Sequence, residues 1–448
     1  MFTKLNAAFA AVLAGNMFFL SGLAADNNTV AGPVAATAES ESATDHVESD
    51  GRMSTDKAIA IFEKRTRENQ RDVMSLVVLG QLYLRQAKEN DDLPFYGKAE
   101  ETFRTVLKMK PEQKSAMTYL AITLEARHQF AEALELATKV ASISERENLA
   151  LATMGDCQLH LGRYEEAEKT YQLLMQREKS PAVIARLAHL NELQGHPDKA
   201  IQQIQEALEA SRTLGLKGQE LAWYEMRLGH LFMNQGQLAT SEKHFRAALS
   251  LSSDYAAAQM GLADVLAAQG KLDDAETLYT TAVTDHGEPP AMAGLGDVLA
   301  KKGDADGAKT WYAKADETMA EEAKSAAAAH YREVAMFYAN HDMNPERAVE
   351  LAELDLKQRQ DIHGYDALAW ALYKNRQFEQ ALPAMKSALR LGTRDANMHF
   401  HAGMIYAALG QADMAKSALE TALQINPHFS LLYSDVAHSE LRKLSQVQ

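Results

Sequence analysis

The sequence predicts an all-α solenoid built from stacked helical hairpins. Two observations carry that expectation. From Ala222 the chain says nearly the same thing twice, AWYEMRLGHLFMNQGQLATSEKHFRAAL and then AAQMGLADVLAAQGKLDDAETLYTTAV. Landmarks recur 34 residues apart: Gly229 and Ala263, Gly236 and Gly270, Phe245 and Tyr279, Ala248 and Ala282. The second observation is composition. Only 10 prolines interrupt 448 residues of alanine-rich, charge-rich text, so helices can run unbroken between turns.

Each unit reads as two short amphipathic helices joined by a tight turn. Gly229 and Ala263 sit mid-helix, where a larger side chain would block the partner helix; Gly80, Gly155, Gly296 and Gly403 hold the same place in other units. Phe245 and Tyr279, with Tyr171 and Tyr312, fill the space between paired helices. Gly236 and Gly270 can take positive φ and end the first helix of their unit. Such a hairpin cannot bury its apolar faces alone and must stack on neighbours. The pattern closely resembles the tetratricopeptide repeat family. The resemblance implies a right-handed superhelical solenoid of about ten helix-turn-helix repeats with flanking capping helices.

In chain order, residues 1–25 carry Lys4, an apolar run and small residues at the end, the pattern of a secretory signal peptide or, if uncleaved, an N-terminal anchor. Residues 26–53 hold almost no large apolar side chain and read as a disordered acidic linker. Residues 54–72 open on Ser54-Thr55-Asp56 and read as an N-terminal capping helix, with the repeat array over 73–429 and a C-terminal capping helix and tail over 430–448. Three insertions interrupt the array. The turn of repeat one is enlarged at 86–95, where the text KENDDLPFYG (88–97) begins, and stretched links, either longer helices or local bends, fall near 211–220 and 316–328. Repeat eight diverges most, with Pro345 opening its second helix.

Formal net charge is −15, from 61 acidic and 46 basic side chains, which speaks against nucleic acid as partner. Cys157 is the single cysteine, so no intramolecular disulfide and no cysteine-cluster zinc site can form; it reads as a small buried hydrophobe. No phosphate-binding glycine loop, HExxH or GxSxG is present. His399 and His401 stand two apart on one helix and cannot share a metal ion, although His363 with either could do so across repeats. The expectation is no cofactor, no metal and no catalytic residue.

In this family the first helix of each repeat lines a concave groove. Carried over by repeat phase, the lining implied here is Trp223, Met226, His230, Met233, Phe337, Asp366, Trp370, Tyr373 and Phe400, with Met260, Asp264, Asp297, Asn340 and Met404. Aromatic anchors among a few polar groups suit a peptide or partner helix. The resemblance and the leader together imply a non-enzymatic scaffold for a protein or peptide partner in the bacterial periplasm or cell envelope. Alternatives are an accessory subunit of an envelope export or polysaccharide-secretion machine, and a cryptic metal-binding or enzymatic protein. Membrane contact is expected only if the leader is retained.

Overall fold

The computed structural model describes residues 53–90, 93–144, 147–326 and 330–446. The leader and nearly all of the linker lie outside the described residues. Among the described residues there are 22 α-helices and no strand. Helix α1 (Thr55–Glu68) stands first. Hairpins one to four follow: α2 (Val73–Asn90) with α3 (Leu93–Met109), α4 (Lys114–Ala126) with α5 (Phe130–Ile143), α6 (Asn148–His160) with α7 (Tyr164–Arg177), and α8 (Pro181–Leu193) with α9 (Pro197–Thr213). Five to seven are α10 (Gly218–Asn234) with α11 (Leu238–Leu251), α12 (Ala256–Ala268) with α13 (Leu272–His286), and α14 (Pro289–Lys302) with α15 (Ala305–Ala326). Eight to ten are α16 (Tyr331–Asn340) with α17 (Pro345–Leu356), α18 (Ile362–Lys374) with α19 (Phe378–Ala388), and α20 (Ala396–Ala408) with α21 (Ala412–Ile425). Helix α22 (Ser434–Gln446) closes the chain. Each helix packs chiefly on its neighbours in sequence, the contact pattern of a solenoid.

Local chemistry sets the boundaries. Ser54 caps α1 by accepting from the Lys57 amide, 3.5 Å away. Prolines occupy the first turns of α8, α9, α14 and α17, where no intrahelical N–H is needed. Gly236 and Gly270 leave their helices with φ of 69° and 78°. In repeats two and nine the same turn is made by His128 and Arg376, at φ 58° and 59°, without a glycine.

The extra residues mostly lengthen helices. Of the enlarged turn expected at 86–95, residues 86–90 continue α2 and residues 93–95 open α3. The 211–220 link is an extension of α9 to Thr213 and an early start of α10, and α15 carries on through 316–326. Residues 316–326, DETMAEEAKSA, are rich in Ala and Glu, both good helix formers. At the far end, 430–433 form turns before α22, so the last helix starts later than its sequence suggests.

The packing landmarks behave as steric logic requires. A Cβ on Gly229 would lie 2.9 Å from three carbons of the Phe245 ring, and one on Gly80 2.6 Å from Phe103. Gly155 and Gly296 meet Tyr171 and Tyr312, and Gly403 meets Leu419, in the same way. The aromatic is also gripped from the far side. Gly261 closes on Phe245, and Gly294 on Tyr279, each two residues ahead of the small landmark in the following repeat. Phe245, Ala263 and Ala248 have no exposed surface. Burying one such ring contributes about 1.5–3 kcal/mol.

The superhelix closes on itself. The turn of repeat three meets the loop before α18: the Gln360 amide donates to His160 O at 2.9 Å, and the Ile362 amide to the Tyr164 hydroxyl at 2.8 Å, across 198 residues. In repeat four, Gly195 lies against the carbonyl of Gly392. In repeat five, Asn426 Nδ2 donates to Met233 O at 2.9 Å, across 193 residues. Three successive turns thus dock on three successive loops at a nearly constant offset, close to six 34-residue repeats. One superhelical turn rests directly on the next.

Candidate functional site

Among the nine side chains expected to line a groove, Trp223, Met226, Phe337, Asp366, Trp370 and Phe400 are buried, and His230, Met233 and Tyr373 are half-buried. In the structure these positions lie on a packed inner face, and none of the nine is fully exposed. Trp223 and Met226 belong to the core that runs through repeats four to seven. Trp370 Nε1 donates to Asn340 Oδ1 at 2.9 Å, and its ring stacks on His401 at 4.2 Å and on Tyr373 at 4.9 Å. Asp366 pairs with His401 Nδ1 at 2.8 Å. They are packed by the helices of neighbouring repeats and, over Trp370 and Phe400, by Tyr433 beyond α21.

Sequence reasoning missed a buried ionic cluster at the seam. Arg332 on α16 donates to Asp355 Oδ2 and to Asp361 Oδ2, each at 3.0 Å. Arg359, 1% exposed, donates through Nε to the other oxygen of Asp355 at 2.8 Å. Asp361 also caps α18 through the Gly364 amide at 2.8 Å, and faces His160 of repeat three at 3.8 Å. Burial alone would raise the Asp361 carboxyl, but the Arg332 guanidinium and the His160 contact hold it well below the usual carboxylate range. No repeat landmark in the text announces these residues: Arg332 meets carboxylates 23 and 29 positions further on, and His160 reaches Asp361 from another superhelical turn.

His128 faces the same cluster and stacks on Phe130, which stacks in turn on His160. Burial first, then the positive charge of Arg359, holds His128 well below the usual histidine range. It is neutral in the folded chain at pH values where the unfolded chain, with a pKa of about 6.5, takes up a proton. The sign follows: this group is without effect above about pH 6.5 and removes stability as pH falls below that value. Melting midpoints should therefore fall less steeply between pH 7 and 5 in His128→Asn than in the wild type. Asn tolerates the same positive φ. Asp264, raised to about 6 chiefly by burial, titrates in both chains and cancels from the comparison. Equal slopes would contradict the assignment.

A second polar feature recurs along the array. Tyr171, Tyr279 and Tyr312 each donate a hydroxyl to the aspartate 15 residues earlier, Asp156, Asp264 and Asp297. From α8 of repeat four, Arg186 adds a two-point grip on Asp156 at 2.9 and 2.8 Å. Nearby Glu125 is pushed well above the usual range by burial and then by Asp156. These pairs tie the two helices of a repeat together; none is paired with a nucleophile. Cys157 is fully buried beside them and its thiol is pushed well up by burial. A maleimide should label it only when the chain is unfolded; rapid labelling of the native protein would overturn this placement. Among the described residues no three His, Cys, Asp or Glu side chains gather closely enough to hold a metal ion, and no helix is long and apolar enough to cross a membrane.

The tetratricopeptide repeat model matches residues 84–148, 226–288, 268–328 and 367–428, and a second tetratricopeptide repeat model matches 124–179. The chain belongs to the tetratricopeptide repeat family. Solenoids of this family mediate protein–protein contacts and are typically non-enzymatic. A relative, tetratricopeptide repeat protein 8 of Caenorhabditis elegans, is 25% identical over 184 residues, which are 41% of this chain and 35% of that protein. This chain therefore spans about a third of the length of that curated relative. Similar solved structures include a tetratricopeptide repeat protein from Parabacteroides merdae, at 17% identity and TM-score 0.43, covering 63% of this chain and 98% of that one. Yeast Tom70 matches at 13% and 0.37, covering 88% and 97%, and the Cut9–Hcn1 hetero-tetramer of APC/C at 13% and 0.33, covering 87% and 93%. These are similarities of helical-repeat form and say nothing of what this chain binds.

Proposed function

We propose that this tetratricopeptide array is a non-catalytic scaffold of the cell envelope that holds a protein or peptide partner on its inner face. The observation that carries the reading is the inner face itself. Repeats eight to ten bring Trp370, Phe400 and Tyr373 together with Asn340 and Lys374, apolar anchors beside a few polar groups. Such a set suits a peptide with aromatic and acidic side chains. The envelope location rests on the export-type leader of residues 1–25.

The test uses a tagged full chain in its source organism. Photo-crosslinking from Tyr373, on the inner face, should capture one dominant protein in the envelope fraction. Lys386, exposed on the outer helix α19, serves as control. Capture from Lys386 alone would move the binding surface to the outer face, and recovery of the protein only from the cytosol would remove the envelope reading.

A further inference from the structure

The inner face already has an occupant. Between α21 and α22 the chain leaves helical structure over residues 426–433, and this segment runs into the interior of the superhelix. Asn426 donates to the carbonyl of Met233 in repeat five at 2.9 Å. Leu431 packs on the core of repeats four to seven. The Tyr433 hydroxyl donates to Asn340 O in repeat eight at 2.7 Å. Its ring meets Trp370 of repeat nine edge-on at 5.5 Å and stacks on Phe400 of repeat ten at 5.2 Å. Lys374 lies over the rings of both Tyr433 and Trp370. Two residues on, Asp435 pairs at 2.6 Å with Lys301 at the end of α14, the first helix of repeat seven. A ten-residue stretch thus touches repeats five, seven, eight, nine and ten: residues 426–433 do so outside any helix, and Asp435 does so from the first turn of α22.

We infer that residues 427–435, PHFSLLYSD, are a built-in occupant of the inner face, and that the partner is a peptide with the same recognition pattern: an aromatic side chain followed two residues later by a carboxylate. This inference rests on the scaffold reading above. The chemistry of the pocket selects the pattern. The Trp370 and Phe400 rings take an aromatic side chain, with the Asn340 carbonyl placed to accept from a phenol. Lys301, at the mouth, takes a carboxylate; that pair is exposed, so it sets orientation more than affinity. A tethered segment competes at an effective concentration on the order of millimolar, so a free partner must displace it or meet a chain whose tail has been released.

The test uses the full chain and the synthetic peptide PHFSLLYSD, read by calorimetry. Wild type should show no binding below about a millimolar, because the tethered copy fills the site. The Tyr433→Ser/Asp435→Ala double variant should bind the peptide saturably and at least tenfold more tightly. Adding Lys301→Glu, or giving a peptide with Ser and Ala at the two key places, should remove that gain. Circular dichroism checks that the double variant keeps its helices. If it does not, Asp435→Asn decides, since it alters only an exposed ion pair and should still bind the peptide several-fold better than wild type. Binding to the folded variant no tighter than to wild type overturns the inference. Capture of an envelope partner from Tyr373 alongside a failed peptide titration would sink the built-in occupant and leave the scaffold reading standing. Peptide binding without an envelope partner would do the reverse.

Discussion

Gly261→Leu lowers the melting midpoint by several degrees and loosens repeats five and six first. The Phe245 ring is fully buried, with Gly229 against one side and Gly261 against the other. A Cβ at Gly261 already falls inside the van der Waals envelope of the ring, and a leucine adds three more carbons with nowhere to go. The ring cannot retreat toward Gly229, where a Cβ would itself stand only 2.9 Å away. The expected cost is about 3 kcal/mol, the upper end of the overpacking range. Because a solenoid loses cooperativity when one interface fails, hydrogen exchange should show the loss concentrated in α10 to α13. Gly97→Ala is the contrasting substitution. Gly97 lies within α3 with nothing within 4 Å of its Cβ direction, so alanine should stabilise by about 0.5–1 kcal/mol. A wild-type melt for Gly261→Leu would remove the two-sided packing of Phe245.

Arg332→Met carries the other large effect. It leaves the buried Asp355 with Arg359 alone and the buried Asp361 without its guanidinium. Stranding buried carboxylates this way costs about 3–5 kcal/mol. The Asp361 carboxyl is held below its ordinary value in the folded wild type, so its contribution is present above the unfolded pKa of about 3.9 and is lost as pH falls through the folded value. At pH 7 the variant therefore bears the full penalty. Arg332→Met/Asp361→Asn should recover part of it, because the amide is uncharged and its oxygen can still accept from the Gly364 amide. Denaturant melts of the two variants check this. If the double variant is no more stable than the single one, charge burial is not the cause.

Much of the fold is legible in the text because it is steric and periodic. Gly229 with Phe245, Gly155 with Tyr171 and Gly296 with Tyr312 announce the hairpin through residue type and spacing alone. Gly261 and Gly294 carry the same message from the following repeat, but the alanines around them make a glycine look incidental. The insertion at 86–95 reads as an enlarged turn because it breaks register, yet residues 86–90 continue α2 and 93–95 open α3; the stretched link near 316–328 reads as either a longer helix or a bend, and α15 continues to Ala326. The state of the inner face was hidden for a different reason. The docking groups at the seam are largely main-chain atoms, His160 O, Met233 O and the Gln360 and Ile362 amides, which have no sequence signature. Their meeting depends on a small rotation per repeat summed over six repeats, and periodicity fixes the repeat without fixing that rotation. Trp370 shows the consequence: its aromatic character is plain in the sequence, but the Tyr433 packed on it lies 63 positions further on and in an irregular segment.

Docking of the C-terminal segment across the earlier repeats is the claim on which the built-in occupant depends. Carbodiimide crosslinking tests it directly, since this chemistry joins a lysine to a carboxylate only at ion-pair distance. In dilute protein, mass spectrometry of the digest should show Lys301 joined to Asp435, 134 residues apart, alongside the local pair of Lys302 with Glu276. Local products without the Lys301–Asp435 product would mean that the C-terminal segment is undocked in solution and its place on the inner face free.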